Sequence, residues 1–100
     1  MTARAKILFI TPPYHCGVVE VAGRWIPLQL AYLAGSVRQA GFEPVIYDAM
    51  SLDHSHQDIA RRIEQERPDF VAISCITSTY PDGLEIARAA RALGARTIMG

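Results

Sequence analysis

The apolar residues fall into short continuous runs separated by longer periodic stretches. Ile7, Leu8, Phe9 and Ile10 are consecutive, as are Phe70, Val71, Ala72 and Ile73. A continuous run, unlike an alternating one, predicts a parallel strand covered on both faces. The pattern predicts strands over 5–11, 43–47, 70–73 and 96–99. Between them the period changes to that of a helix. Leu30, Leu33, Ala34 and Val37 form an i, i+3, i+4, i+7 stripe after Pro27, which suits a first helical turn, and Gly41 is a stop. Ile59, Ala60 and Ile63 give a second helix its apolar face. Ser55 with Asp58 resembles a capping pair, Asp58 and Arg62 form a charge pair in the favourable order, and Arg67-Pro68 ends the helix. A third helix runs from about Pro81 to Leu93, with Ile86, Ala87, Ala90 and Leu93 inward and Gly94 as its stop. The order β-α-β-α-β-α-β implies a parallel sheet with right-handed crossovers.

Two stretches break this rhythm. Thr11 to Trp25 (TPPYHCGVVEVAGRW) is far longer than the roughly 2–6 residues that usually join a strand to a helix. Such loops tend to bind something, and this one leaves the carboxyl end of a strand, where open α/β sheets place their ligands. It contains His15, Cys16, Tyr14 and the chain's one Trp. Tyr14 and Trp25 could pack against a flat ligand or simply cover the sheet edge. The second stretch, Ser74 to Thr79, is small and polar. It lies between a strand end and a helix N-terminus and suits a phosphate or a polar cofactor tail, with helix capping by Thr79 as the plainer role.

Composition narrows the classes. One hundred residues, half of them hydrophobic, make one domain with one core. Ten basic and ten acidic residues balance, and the basic ones are scattered, which argues against a nucleic-acid partner. No apolar run approaches a membrane span of about 20 residues, and the run before Thr11 is too short for a secretory signal, so a cytoplasmic location is expected. Cys16 and Cys75 make no disulfide framework, and free thiols are expected. The chain stops on a strand with nothing to cover it, so a longer protein is expected.

Known phosphate and metal motifs are missing. The first loop has Gly17 and Gly23 but no G-x-G-x-x-G, and no Walker loop is present. Two Cys and three His in separate loops make no zinc set, and His54 and His56 read as solvated loop residues. Cys75, at a strand end, reads as a small core residue rather than a nucleophile.

The third strand and the residues after it, PDFVAISCITSTYPDGLEIARAARALGARTIMG, resemble the cobalamin-binding domain. In that family a Ser-x-Leu follows the third strand and a Gly-Gly pair follows the fourth. Ser74-Cys75-Ile76 fits with Ile for Leu, and Gly100 falls where the first glycine belongs. The family's D-x-H-x-x-G loop is broken here: in Pro13-Tyr14-His15-Cys16-Gly17-Val18 the His stands in place, but Pro replaces the Asp and Val the final Gly. Either His15 ligates cobalt without its usual carboxylate partner, or cobalt takes no protein ligand; the second is favoured, because a ligating His normally has such a partner. The pieces PPYHCG, Glu20 to Pro27, Tyr32-Leu33, Asp48-Ala49-Met50 and Pro68-Asp69 further resemble the N-terminal region of the anaerobic magnesium-porphyrin ester cyclases, a family of cobalamin-dependent radical S-adenosylmethionine proteins.

The resemblance implies a Rossmann-like or flavodoxin-like doubly wound sheet, of which four strands and three helices fall within residues 1–100. It implies cobalamin as cofactor, with Thr11, Tyr14, His15 and Gly17 under the corrin, and Ser74, Ile76, Thr77, Ser78 and Gly100 around its tail. It also implies a C-terminal catalytic domain carrying an iron–sulfur cluster and S-adenosylmethionine and acting on a porphyrin substrate. The C-x-x-x-C-x-x-C motif of that domain is absent from these residues, so they carry no radical chemistry alone. A radical methyltransferase is the near alternative. A flavodoxin-like module is a further one, though Pro12 and Pro13 remove backbone donors from its phosphate loop. A phosphate receiver would need acidic residues where the first and third strands end in Thr-Pro-Pro and Ser-Cys. A purely structural module that has lost its cofactor is the last possibility.

Overall fold

The computed structural model describes residues 5–13, 28–52, 54–75 and 77–100. Four strands, β1 (Lys6–Thr11), β2 (Glu43–Asp48), β3 (Phe70–Ile73) and β4 (Arg96–Met99), form one parallel sheet in the order β2-β1-β3-β4. The helices are α1 (Leu28–Gln39), the one-turn α2 (Ala49–Leu52), α3 (His56–Glu66) and α4 (Tyr80–Ala92), with a 3₁₀ turn at Thr77–Thr79. The order reverses direction at β1, so the crevice of a doubly wound sheet opens between β1 and β3.

The central strands β1 and β3 are covered on both faces, as their continuous apolar runs require. Ile7 and Phe9 pack with Leu30 and Ala34 of α1. Leu8, Ile10, Tyr47, Val71 and Ile73 pack with Ile59 and Ile63 of α3 and Ile86 and Ala90 of α4. One helix therefore serves the first face and two serve the second.

Local chemistry sets the boundaries. Ser55 and Asp58 close a reciprocal capping box: the Ser55 hydroxyl accepts from the Asp58 N–H at 3.2 Å, and the Ser55 N–H donates to Asp58 Oδ2 at 3.0 Å. Arg67 ends α3 in the left-handed conformation at φ 48°. Gly41 and Gly94 end α1 and α4 at positive φ, where a side chain would be strained.

Several expectations are corrected. Leu33 is 52% and Leu93 47% exposed. The apolar stripe of α1 is narrower than its spacing suggests, and Leu93 lies beyond the last helical residue, where the phase is lost. The stretch between β2 and α3 contains the turn of α2. Arg62 pairs with Glu66 at 3.0 Å, while Ser55 holds the Asp58 carboxylate. Thr79 is buried, but its side chain does not cap α4. His54 and His56 are half-buried and each has a partner: His54 Nδ1 lies 2.5 Å from the Tyr47 hydroxyl, and His56, the first residue of α3, meets Asp82 at 2.9 Å and Glu85 at 3.3 Å. Pro27 and residues 14–25 of the first long loop, Cys16 and Trp25 among them, lie outside the described residues.

Candidate functional site

β1 closes on Thr11, and Ser74 and Gly100 follow β3 and β4, and the register brings these three residues abreast. Ile10 pairs with Ile73, which pairs with Met99. One residue further come Thr11, Ser74 and Gly100. The Gly100 N–H donates to the Ile73 carbonyl at 3.1 Å, and the Cys75 N–H donates to the Gly100 carbonyl at 2.8 Å, so Gly100 flanks Ser74 and extends the ladder past β4. The Ser74 N–H donates to the Ile10 carbonyl at 3.1 Å, which holds Ser74 against β1. Strand alternation puts the row on the face of Phe9 and Ala72, beneath α1.

A cavity of about 210 Å³ opens on that face. Phe9, Leu30, Leu33, Ala72, Ile98, Ser74 and Gly100 line it. Its walls are apolar and its polar groups few, as in small-molecule sites. Sequence reasoning named Ser74 and Gly100 and missed the apolar wall. The signal for that wall was the small Ala72 between larger strand residues, together with Leu33 and Ile98, large apolar residues that the fold leaves half exposed.

Thr11 adds a polar group without an answer. Its Oγ1 is buried and finds no hydrogen-bond partner among the described residues. A hydroxyl in that state costs about 1–3 kcal/mol, which a bound polar group would recover. Among the described residues, a Cβ built on Gly100 would meet nothing within 4 Å. A hydroxyl unpartnered among the described residues and an apolar cavity beside Ser74 and Gly100 fit a cofactor that inserts a tail with both apolar and polar parts.

A second, wider cavity of about 670 Å³ lies at the same edge, lined by Cys75, Thr77, Tyr80, Pro81, Met99 and Gly100. Thr77 thus stands apart from Ser74, although Gly100 borders both cavities. Ser78 follows in the same 3₁₀ turn. Tyr14, His15, Gly17 and Ile76 lie outside the described residues. Burial pushes the Cys75 thiol above its ordinary range, and Asp82 adds to the shift, which is the opposite of an activated nucleophile. Among the described residues, no three His, Cys, Asp or Glu side chains converge as a metal site, and no helix is long and apolar enough to cross a membrane.

Comparison with known proteins agrees with this geometry. The chain is 42% identical over 73 residues, 72% of its length, to an anaerobic magnesium-protoporphyrin IX monomethyl ester cyclase of Rubrivivax gelatinosus. It is 40% identical over 73 residues to the enzyme of the same name from Cereibacter sphaeroides. It is also 37% identical over 87 residues, 86% of its length, to an uncharacterized methyltransferase of Pyrococcus horikoshii. The chain spans only 13%, 12% and 19% of those three proteins. A family model described as the B12 binding domain matches residues 14–100. With nearly the whole chain inside that match, the chain belongs to the B12-binding domain family.

Proposed function

We propose that this chain is the cobalamin-binding N-terminal domain of an anaerobic magnesium-protoporphyrin IX monomethyl ester cyclase. The observation that carries the reading is the row of Thr11, Ser74 and Gly100 beside the α1-face cavity, in a chain 42% identical to one such cyclase. In this reading Thr11 and Ser74 offer hydroxyls to the cofactor's polar tail. Gly100 leaves room for it, and Phe9, Leu30 and Ala72 exclude water around its apolar part. Thr77 and Ser78 complete the polar side of the edge. Tyr14, His15 and Gly17 belong under the corrin, and Ile76 stands at the family's Leu position. Cobalamin supplies the cobalt chemistry when bound; this chain's residues bind and orient it. His15 is not the lower cobalt ligand, because Pro13 stands where the family has the carboxylate partner of that His. The iron–sulfur cluster, S-adenosylmethionine and the porphyrin substrate belong to a catalytic domain outside these residues, in a cytoplasmic protein.

The test is a titration of the purified chain with hydroxocobalamin, read by visible absorption, beside Ser74→Leu and His15→Ala. Binding is expected, with Ser74→Leu weakening it by filling the cavity mouth and His15→Ala leaving the bound spectrum unchanged. A changed spectrum would make His15 the ligand. A folded chain that binds nothing, alone or within the full-length protein, would overturn the reading.

The methyltransferase reading draws on a match that covers more of this chain, 86% against 72%. The two share this domain and part at the substrate. Ring closure on a porphyrin ester by the full-length protein supports the first, and methyl transfer supports the second.

A further inference from the structure

Gly83 sits in the first full turn of α4 and is buried, although glycine costs a helix interior about 1 kcal/mol relative to alanine. Its φ is not in the left-handed region, so backbone freedom does not explain it. Space does. A Cβ built on Gly83 would overlap Cys75 Sγ, and would come within 3.2 Å of Met99 Cε and 3.6 Å of Ile73 Cγ2. The thiol of Cys75 therefore lodges against the bare backbone of α4.

Cys75 is one residue past Ser74 and points to the opposite face of the sheet, alongside Met99. Its N–H holds the Gly100 carbonyl at 2.8 Å. Where the Cys75 side chain can lodge thus decides how the backbone leaves β3, which way Ser74 faces, and whether Gly100 stays in the ladder. We propose that Gly83 is a positioning residue for the cobalamin site: it seats the Cys75 thiol under α4, and this seat holds Ser74 and Gly100 in the row that meets the cofactor's tail. The proposal rests on the cobalamin reading of that edge and adds a residue on the far face of the sheet.

The experiment compares the unsubstituted chain with Gly83→Ala, Cys75→Ala and the double variant. It reads hydroxocobalamin affinity and, without ligand, the amide exchange of Cys75 and Gly100. Overpacking at Gly83 is expected to lower affinity and speed both amides about tenfold. Removing the sulfur frees the space that the new methyl needs, so the double variant is expected to return to within about threefold of the unsubstituted chain. Rescue by the double variant traces the loss to the contact between Gly83 and Cys75 rather than to the helix alone. Unchanged affinity and exchange in Gly83→Ala, or a double variant no better than the single one, would overturn the proposal. If Gly83→Ala does not fold, recovery of folding in the double variant supports the seat and its absence overturns it. If the unsubstituted chain takes up no hydroxocobalamin, the cofactor reading fails by itself, and the two amides still decide whether Gly83 holds the edge.

Discussion

Thr11→Val separates binding from stability, because the two should move in opposite directions. Both residues are β-branched, so the end of β1 keeps its backbone preference. The substitution exchanges a buried hydroxyl, unpartnered among the described residues, for a methyl group. Leaving such a hydroxyl unsatisfied costs about 1–3 kcal/mol, so Val should stabilise the free domain by about 1–2 kcal/mol. For a domain of about 100 residues each kcal/mol moves Tm by roughly 4–8 °C, which makes the rise easy to see by calorimetry or circular dichroism. In the proposed site the same hydroxyl is the group offered to the cofactor. Losing one hydrogen bond of about 0.5–1.5 kcal/mol should weaken hydroxocobalamin binding roughly 2- to 12-fold. Weaker binding by a more stable protein cannot be put down to damage of the fold. A fall in Tm would refute the reasoning, since it would mean that the hydroxyl has a partner in the free protein. An unchanged affinity would remove Thr11 from the site.

Other elements give sharp tests. Ser55 holds the Asp58 carboxyl below its usual range through its backbone N–H and then its hydroxyl. A carboxyl lowered on folding contributes stability above its unfolded pKa and loses it as pH falls through the folded value, so Ser55→Ala should shrink the acid limb of a Tm-versus-pH curve. Burial raises the Tyr47 phenol, with Arg62 opposing, so that contribution is present below about pH 10 and lost as pH rises through the higher folded value. Tyr47→Phe should abolish this alkaline limb and, by removing the bond to His54, cost about 1 kcal/mol near neutrality in chemical denaturation. Arg67→Gly relieves a side chain held at φ 48° and should raise stability by about 0.5–1 kcal/mol; a decrease would show that the Arg67 side chain makes a contact worth more than the strain.

The strands were legible because burial on both faces leaves an unbroken apolar run, and their limits because chain reversals need special chemistry. Gly41, Gly94, the Ser55–Asp58 box and Arg67-Pro68 each announce a boundary within a few residues of themselves. What stayed hidden depends on partners far along the chain. His56 and Asp82 are separated by 26 positions, and nothing local to either predicts the other. Helical period placed Leu33 on the stripe of α1, but a helix alone on its face meets the sheet along a narrow line, occupied by Leu30 and Ala34. Gly83 looks like a mistake in a helix until Cys75 is placed against it.

The candidate site shows the same division. Thr11, Ser74 and Gly100 could be named individually, since each follows a strand. Their alignment is a property of the register and of two hydrogen bonds at Gly100. The side on which the site lies follows from coverage. α3 and α4 together fill the face of Leu8, Ile10, Val71 and Ile73. α1 alone does not span the other face, so Ala72 and Ile98 there are left beside a cavity. In the proposed reading the cofactor's tail enters under α1, where the polar atoms it carries would meet the row at the edge. That is why the hydroxyls of Thr11 and Ser74 are of more use there than the apolar residues that a simple parallel sheet would place at its strand ends.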